Sequence, residues 1–199
     1  MITIVDYKLN NLRSLENALR RLRHDTCVAS RAEDIEQAEK LILPGVGAFG
    51  NAMRNLHELG LTEIVVRKVR EGTPILGVCL GMHLLFTESE EFGRHSGLGV
   101  LPGKIRRIPQ GVHIPHMGWN QLHRQREDLL LEGIDGGSFV YFVHSFSAVP
   151  EDPAIVIATT DYGIDFPSVV GHGNVWATQF HPEKSQRTGL KILENFTNV

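Results

Sequence analysis

Cysteine is scarce. Cys27 and Cys79 are the only two in 199 residues, which excludes a disulfide scaffold and fits a reducing compartment. Charge of one sign is not in excess either. Twenty Lys and Arg against twenty-three Asp and Glu leave a formal net charge of −3, so no broad surface for a polyanion follows and no nucleic acid is expected as a partner. No apolar run approaches the roughly 18 residues of a membrane span, so no membrane association is expected. The opening Met1-Ile2-Thr3-Ile4-Val5-Asp6 lacks a basic lead-in and reads as a strand, not a signal peptide. A cytoplasmic protein is the expectation. Internal repeats, low-complexity segments and linkers are also missing. With 42% hydrophobic and 22% charged residues, residues 1–199 are expected to form one domain with a sizeable core.

What is present is an alternating pattern. Ile2, Ile4 and Val5 form a short apolar run suited to a buried strand. Behind Asn10-Asn11, a good capping pair, Leu12, Leu15, Leu19 and Leu22 fall on one face of a helix. Strands are predicted at 26–29, 41–43 and 74–78. Helices are predicted on the stripe Phe49, Met53, Leu56 and Leu59, at 62–71 and at 82–86. Strand and helix in turn argue for an α/β fold, a mostly parallel sheet covered on both faces. The second half changes character. Residues 93–125 are rich in Gly, Pro and His, with a β-prone piece at 104–108. Segments 139–143, 154–160, 168–170 and 175–180 read as strands separated by turn signals, some of them antiparallel, before a closing helix at 185–196.

Three segments could carry chemistry. In Gly77-Val78-Cys79-Leu80-Gly81 a thiol stands where a strand turns sharply into a helix, flanked by glycines that let the backbone bend. The helix would aim its amino end at the sulfur and favour thiolate. A lone cysteine is more often a core residue, and that is the reading for Cys27. In His181-Pro182-Glu183 the proline pushes His181 into an extended conformation, where residues two apart share a face, so Glu183 could orient the imidazole. If the strands preceding Cys79 and His181 are parallel neighbours, both open on one crevice, and a Cys–His–Glu triad for acyl transfer follows. In Pro44-Gly45-Val46-Gly47 the glycines would let a peptide N–H turn inward toward an oxyanion. No metal is expected. His113, His116, His123, His144 and His172 lack an HExxH or cysteine-pair context and read as solvated or loop histidines. No Walker A or G-x-G-x-x-G opens a helix, and no cofactor is expected.

With Leu43-Pro44-Gly45-Val46-Gly47-Ala48-Phe49, Gly77–Gly81, Met117-Gly118-Trp119-Asn120, Tyr141-Phe142-Val143-His144-Ser145 and Gln179-Phe180-His181-Pro182-Glu183-Lys184-Ser185 in order, the whole chain resembles the class I (triad) glutamine amidotransferases. Within them it is most similar to the glutaminase subunits of imidazole glycerol phosphate synthase. The resemblance implies a flavodoxin-like three-layer fold and hydrolysis of glutamine through a Cys79 thioester, with His181 as base and acid and Glu183 holding the ring. It further implies an oxyanion site at the Leu80 N–H and near Val46 and Gly47, and a glutamine pocket at His83, His144, Ser145 and Phe146. The partner it implies is a (β/α)8-barrel cyclase that receives ammonia to make imidazole glycerol phosphate and AICAR in histidine biosynthesis, touching Asn10, Asn11 and Trp119. Lys8 and Asn10 stand where the family usually has glycine, and His83 where it has Gln. Two other readings fit the residues: a paralogous glutaminase feeding another synthase, for instance in surface-sugar modification, and a non-catalytic flavodoxin-like thiol or binding domain.

Overall fold

The computed structural model describes residues 1–9 and 11–199. Four strands, β1 (Ile2–Val5), β2 (Thr26–Ala29), β3 (Lys40–Gly45) and β4 (Ile75–Cys79), alternate with helices α1 (Leu12–Arg21), α2 (Ala32–Glu36), α3 (Phe49–Glu58) and α4 (Leu61–Arg70). Helix α5 (Leu80–Leu85) begins on the residue after β4. Then come β5 (Phe86–Ser89), β6 (His95–Ser96), β7 (Leu101–Arg107), β8 (His116–Gln121), β9 (His123–Arg124), β10 (Phe139–His144), β11 (Phe146–Pro150), β12 (Val156–Asp161), β13 (Asp165–His172) and β14 (Val175–Thr178). Helix α6 (Gln186–Asn198) closes the chain.

The main sheet has eight strands in the order β2-β1-β3-β4-β14-β13-β12-β9. The first five are mutually parallel, and β13, β12 and β9 then alternate in direction. Successive side chains of a strand point to opposite faces, and β3 shows the result. Leu41 and Leu43 pack with α2–α5, while Ile42 packs with α1 and α6. Burial on both faces is why these strands read as unbroken apolar runs. Two small sheets flank this frame: the antiparallel ribbon β10–β8 and the four-stranded β11-β7-β5-β6.

Several local expectations shift. Helix α2 is five residues long and buries only Ile35, too little for a periodic signal. Phe86 opens β5 instead of ending a helix, and the Gly, Pro and His-rich stretch holds four short strands. Pro153–Ile155 forms a 3-10 turn ahead of β12. Asn11 precedes α1 without a side-chain capping bond. Among the described residues no helix is long and apolar enough to cross a membrane.

Candidate active site

Cys79 closes β4 and opens α5 with φ 54° and ψ −109°, a conformation that costs a non-glycine residue on the order of 1–3 kcal/mol. The bend is held by close backbone packing. A Cβ on Gly81 would lie 1.7 Å from the Leu43 carbonyl oxygen, and one on Gly45 would lie 2.0 Å from the Tyr7 hydroxyl. Tyr7 is fully buried and donates to the Pro44 carbonyl at 2.7 Å, so it braces the loop that follows β3. The Cys79 Sγ lies 3.9 Å from the Val143 carbonyl oxygen.

Because β14 pairs in parallel with β4, Thr178 beside Val78, the chain leaving β14 passes Cys79 at the carboxyl edge of the sheet. His181 donates its backbone N–H to the Tyr141 carbonyl at 3.0 Å, and its own carbonyl accepts from the Ser185 hydroxyl at 2.7 Å. Its Nδ1 meets Glu183 Oε1 at 2.8 Å, with both side chains buried. The convergence read from the sequence is there, by a different route. His181 is extended, but Pro182–Lys184 coil into one 3-10 turn that carries the carboxylate back to the ring. A hydrogen on Nδ1 leaves Nε2 as the basic nitrogen, and Nε2 is buried with no hydrogen-bond partner among the described residues. Burial disfavours the charged ring, yet Cys79 and Glu183 together outweigh it, so the His181 pKa is raised above the ordinary imidazole range.

Cys79 and His181 line one cleft of about 320 Å³. Leu80, His83, His144, Ser145 and Phe146 line it too, as do Val46 and Gly47 from the loop after β3. Leu80, the first helical residue, has no intrahelical acceptor for its N–H, which suits an oxyanion donor. The Val46 N–H does not serve that way in this arrangement, because it donates to the Leu9 carbonyl at 3.0 Å. The inward-turned peptide expected near Val46 and Gly47 is therefore not the one at the Val46 N–H. Gly47 beside it holds φ 97°. Two histidines read as solvated or loop residues are also corrected. His116 and His144 are buried and bonded to each other at 2.9 Å. His83 is buried against Gln179 Oε1 at 2.7 Å, and burial lowers its pKa to about 4, so it is neutral. Glu91 was not foreseen. It is the only carboxylate among the described lining residues, and it accepts from the Phe49 N–H at the start of α3 at 2.8 Å. Nothing in Glu88-Ser89-Glu90-Glu91 sets it apart in sequence. No group of three or more His, Cys, Asp or Glu among the described residues could hold a metal ion.

A family model described as "Glutamine amidotransferase class-I" matches residues 3–199. The chain belongs to the class-I glutamine amidotransferase family. It is 50% identical to "Imidazole glycerol phosphate synthase subunit HisH" of Syntrophotalea carbinolica over 100% of both chains. It is 51% identical to the protein of that name from Aquifex aeolicus, over 97% of this chain and 94% of the relative. A crystal structure of a glutamine amidotransferase superposes with TM-score 0.78 at 25% identity, covering 99% of this chain and 100% of the other.

On this amidotransferase the ribbon β10–β8 presents an exposed apolar stripe outside the cleft. Met117, Trp119 and Phe139 are all exposed, and Trp119 pairs across the ribbon with Tyr141, ring to ring at 5.9 Å. Trp119 therefore sits on a surface and not in the cleft. Asn11 is exposed and borders a small cavity behind His181 and Glu183. Asn10 lies outside the described residues.

Proposed function

We propose that this chain is the glutaminase subunit of an imidazole glycerol phosphate synthase. It cleaves glutamine at Cys79 and passes ammonia to a (β/α)8-barrel cyclase that makes imidazole glycerol phosphate and AICAR. One observation carries the chemistry: a thiol on a strained elbow shares a cleft with an imidazole whose far nitrogen is bound to a buried carboxylate. The shared name of relatives about half identical over the full length supports the pathway.

Glutamine enters with its side-chain amide at Cys79. Its α-ammonium needs a carboxylate, and Glu91 is the one the cleft offers; its polar head also meets neutral His83 and the backbone of Ser145 and Phe146. His181 takes the thiol proton, the sulfur attacks the amide carbon, and the Leu80 N–H receives charge on the oxygen. The C–N bond then breaks as His181 returns the proton to the departing nitrogen, giving ammonia and a glutamyl thioester. Water, deprotonated by the same ring, hydrolyses the thioester to glutamate. Glu183 holds the ring's tautomer and steadies its charge throughout.

Ammonia set free in bulk water would become ammonium and lose its nucleophilicity, so an acceptor enzyme must seal the exit. Residues 1–199 act as one amidotransferase domain, in the cytoplasm, and the exposed stripe at Trp119 is the face offered to the barrel, with Asn11 a further contact. The test is glutamine-dependent synthesis by this chain and the cyclase together. Cys79→Ser is expected to abolish it while ammonia-dependent synthesis continues. Loss of both, or glutamine turnover without Cys79, would overturn the reading.

A further inference from the structure

The chemistry above uses neither His116 nor Asn120, although Asn120 belongs to the Met117–Asn120 motif and His116 precedes it. Their hydrogen bonds have a direction that can be derived. The Phe146 carbonyl can only accept and lies 2.8 Å from His144 Nδ1, so that nitrogen carries the hydrogen. His144 is buried, and burial lowers its pKa to about 3, so the ring is neutral and Nε2 is a lone pair. His116 Nδ1, 2.9 Å away, must then donate to it. Burial likewise keeps His116 neutral, with a pKa of about 4, which leaves its Nε2 as an acceptor facing Asn120 Nδ2 at 3.4 Å. The Asn120 amide cannot be reversed. Its Nδ2 donates to the Asp161 carbonyl and its Oδ1 accepts from the Gln121 N–H, each at 2.8 Å.

We propose that Asn120, His116 and His144 form a one-way hydrogen-bond chain that ends on the Phe146 carbonyl and fixes the 144–146 wall of the cleft, with His116 as its central positioning residue. The inference rests on the reading of that cleft as the glutamine site. The wall needs such support because the chain changes sheets there. β10 pairs with β8 and β11 with β7, and Ser145 alone separates β10 from β11. Here side-chain bonds supply order that a continuous ladder supplies elsewhere. The His116 ring is clamped flat between Tyr162 and Phe142, with centroids at 3.9 Å and 4.8 Å, so its donor is aimed before glutamine arrives.

Two substitutions separate the donor from the ring. His116→Phe keeps a flat ring in the stack and deletes the donor, whereas His116→Asn gives up the ring and keeps an N–H near the Nδ1 position. In the complex with the cyclase, His116→Phe is expected to raise the glutamine KM about tenfold, with a smaller change in kcat, because a buried acceptor loses its partner. His116→Asn is expected to stay within about threefold of the unmodified protein. A normal KM for His116→Phe, or His116→Asn impaired as much as His116→Phe, would overturn the proposal. Imidazole 15N spectra of the unmodified chain test it without any variant. His144 and His116 are both expected as Nδ1–H tautomers, and an Nε2–H signal from His144 would overturn it. Absence of glutamine turnover by the unmodified complex would instead count against the proposed function, leaving the tautomer result to judge the chain of bonds.

Discussion

Reactivity here starts from what individual residues are prevented from being. Gly81 has its α-hydrogen against the Leu43 carbonyl oxygen, where a methyl would sit at 1.7 Å. Neither strand nor helix can yield without unbending the Cys79 elbow. Gly81→Ala is therefore expected to destabilise the protein by more than about 3 kcal/mol, read as a large drop in the midpoint of denaturant unfolding. A near-neutral result would mean that the elbow is looser than described. At this scale the sequence singles out Cys79 because G-x-C-x-G falls between an apolar run and a helical stripe, and the motif gains weight only beside His181-Pro182-Glu183. It was silent about Glu91 and about Tyr7. Both act through contacts to residues about forty positions away in the chain, and no local pattern encodes such a contact. Lys8 holds φ 68°, a backbone conformation that glycine adopts without strain, with its N–H on Asp6 Oδ1 at 2.9 Å.

Among elements, the loop between β3 and α3 has the most to say about rate. With the Val46 N–H bound to the Leu9 carbonyl, the proposed oxyanion site keeps the Leu80 N–H but lacks the Val46 N–H as a donor. Removing one such donor typically costs about 10²–10³ in turnover. The chain alone is accordingly expected to release glutamate at least about a hundredfold more slowly than the chain with the proposed barrel cyclase, measured by glutamate formation with and without that partner. Fast hydrolysis by the chain alone would contradict this. The central parallel strands were legible as apolar runs because both their faces are buried, and the amphipathic helices because burial of one face sets their period. The two-residue strands β6 and β9, the five-residue α2 and the ribbon strand β8 were not. They are held by tertiary pairing, and β8 carries Gly118 and polar residues that disguise it. The His181-Pro182-Glu183 segment falls between these cases: the partners were readable, the 3-10 turn that joins them was not.

At the scale of the whole molecule, burial of neutral imidazoles ties stability to pH. His83 and His116 are held down to a pKa of about 4 and His144 to about 3, burial being the main cause in each. In the unfolded chain the same rings take up protons below about 6.5. Between pH 6.5 and 4 the unfolded state thus binds more protons, and stability that is complete above 6.5 is lost as pH falls. His181, shifted the other way, stays protonated in the folded state, so it opposes this loss near pH 6.5, where the unfolded ring is only about half protonated, and adds no slope once both states are protonated at lower pH. Unfolding midpoints in denaturant are expected to fall steadily from pH 6.5 to 4.5, with an uptake of roughly three protons, and His83→Gln is expected to remove about one of them. A flat profile would contradict the burial of these rings.

One consequence follows from the order of strands. The proposed oxyanion loop, nucleophile and base leave β3, β4 and β14, which are adjacent and parallel, with Gly45 directly beside Cys79. Their lateral separations are thus metered by the peptide lattice, about 4.8 Å per strand, and not by the lengths of side chains. A slip of β14 by a single residue would carry the imidazole roughly 3.3 Å along the furrow and disarm the enzyme with every reactive atom still present.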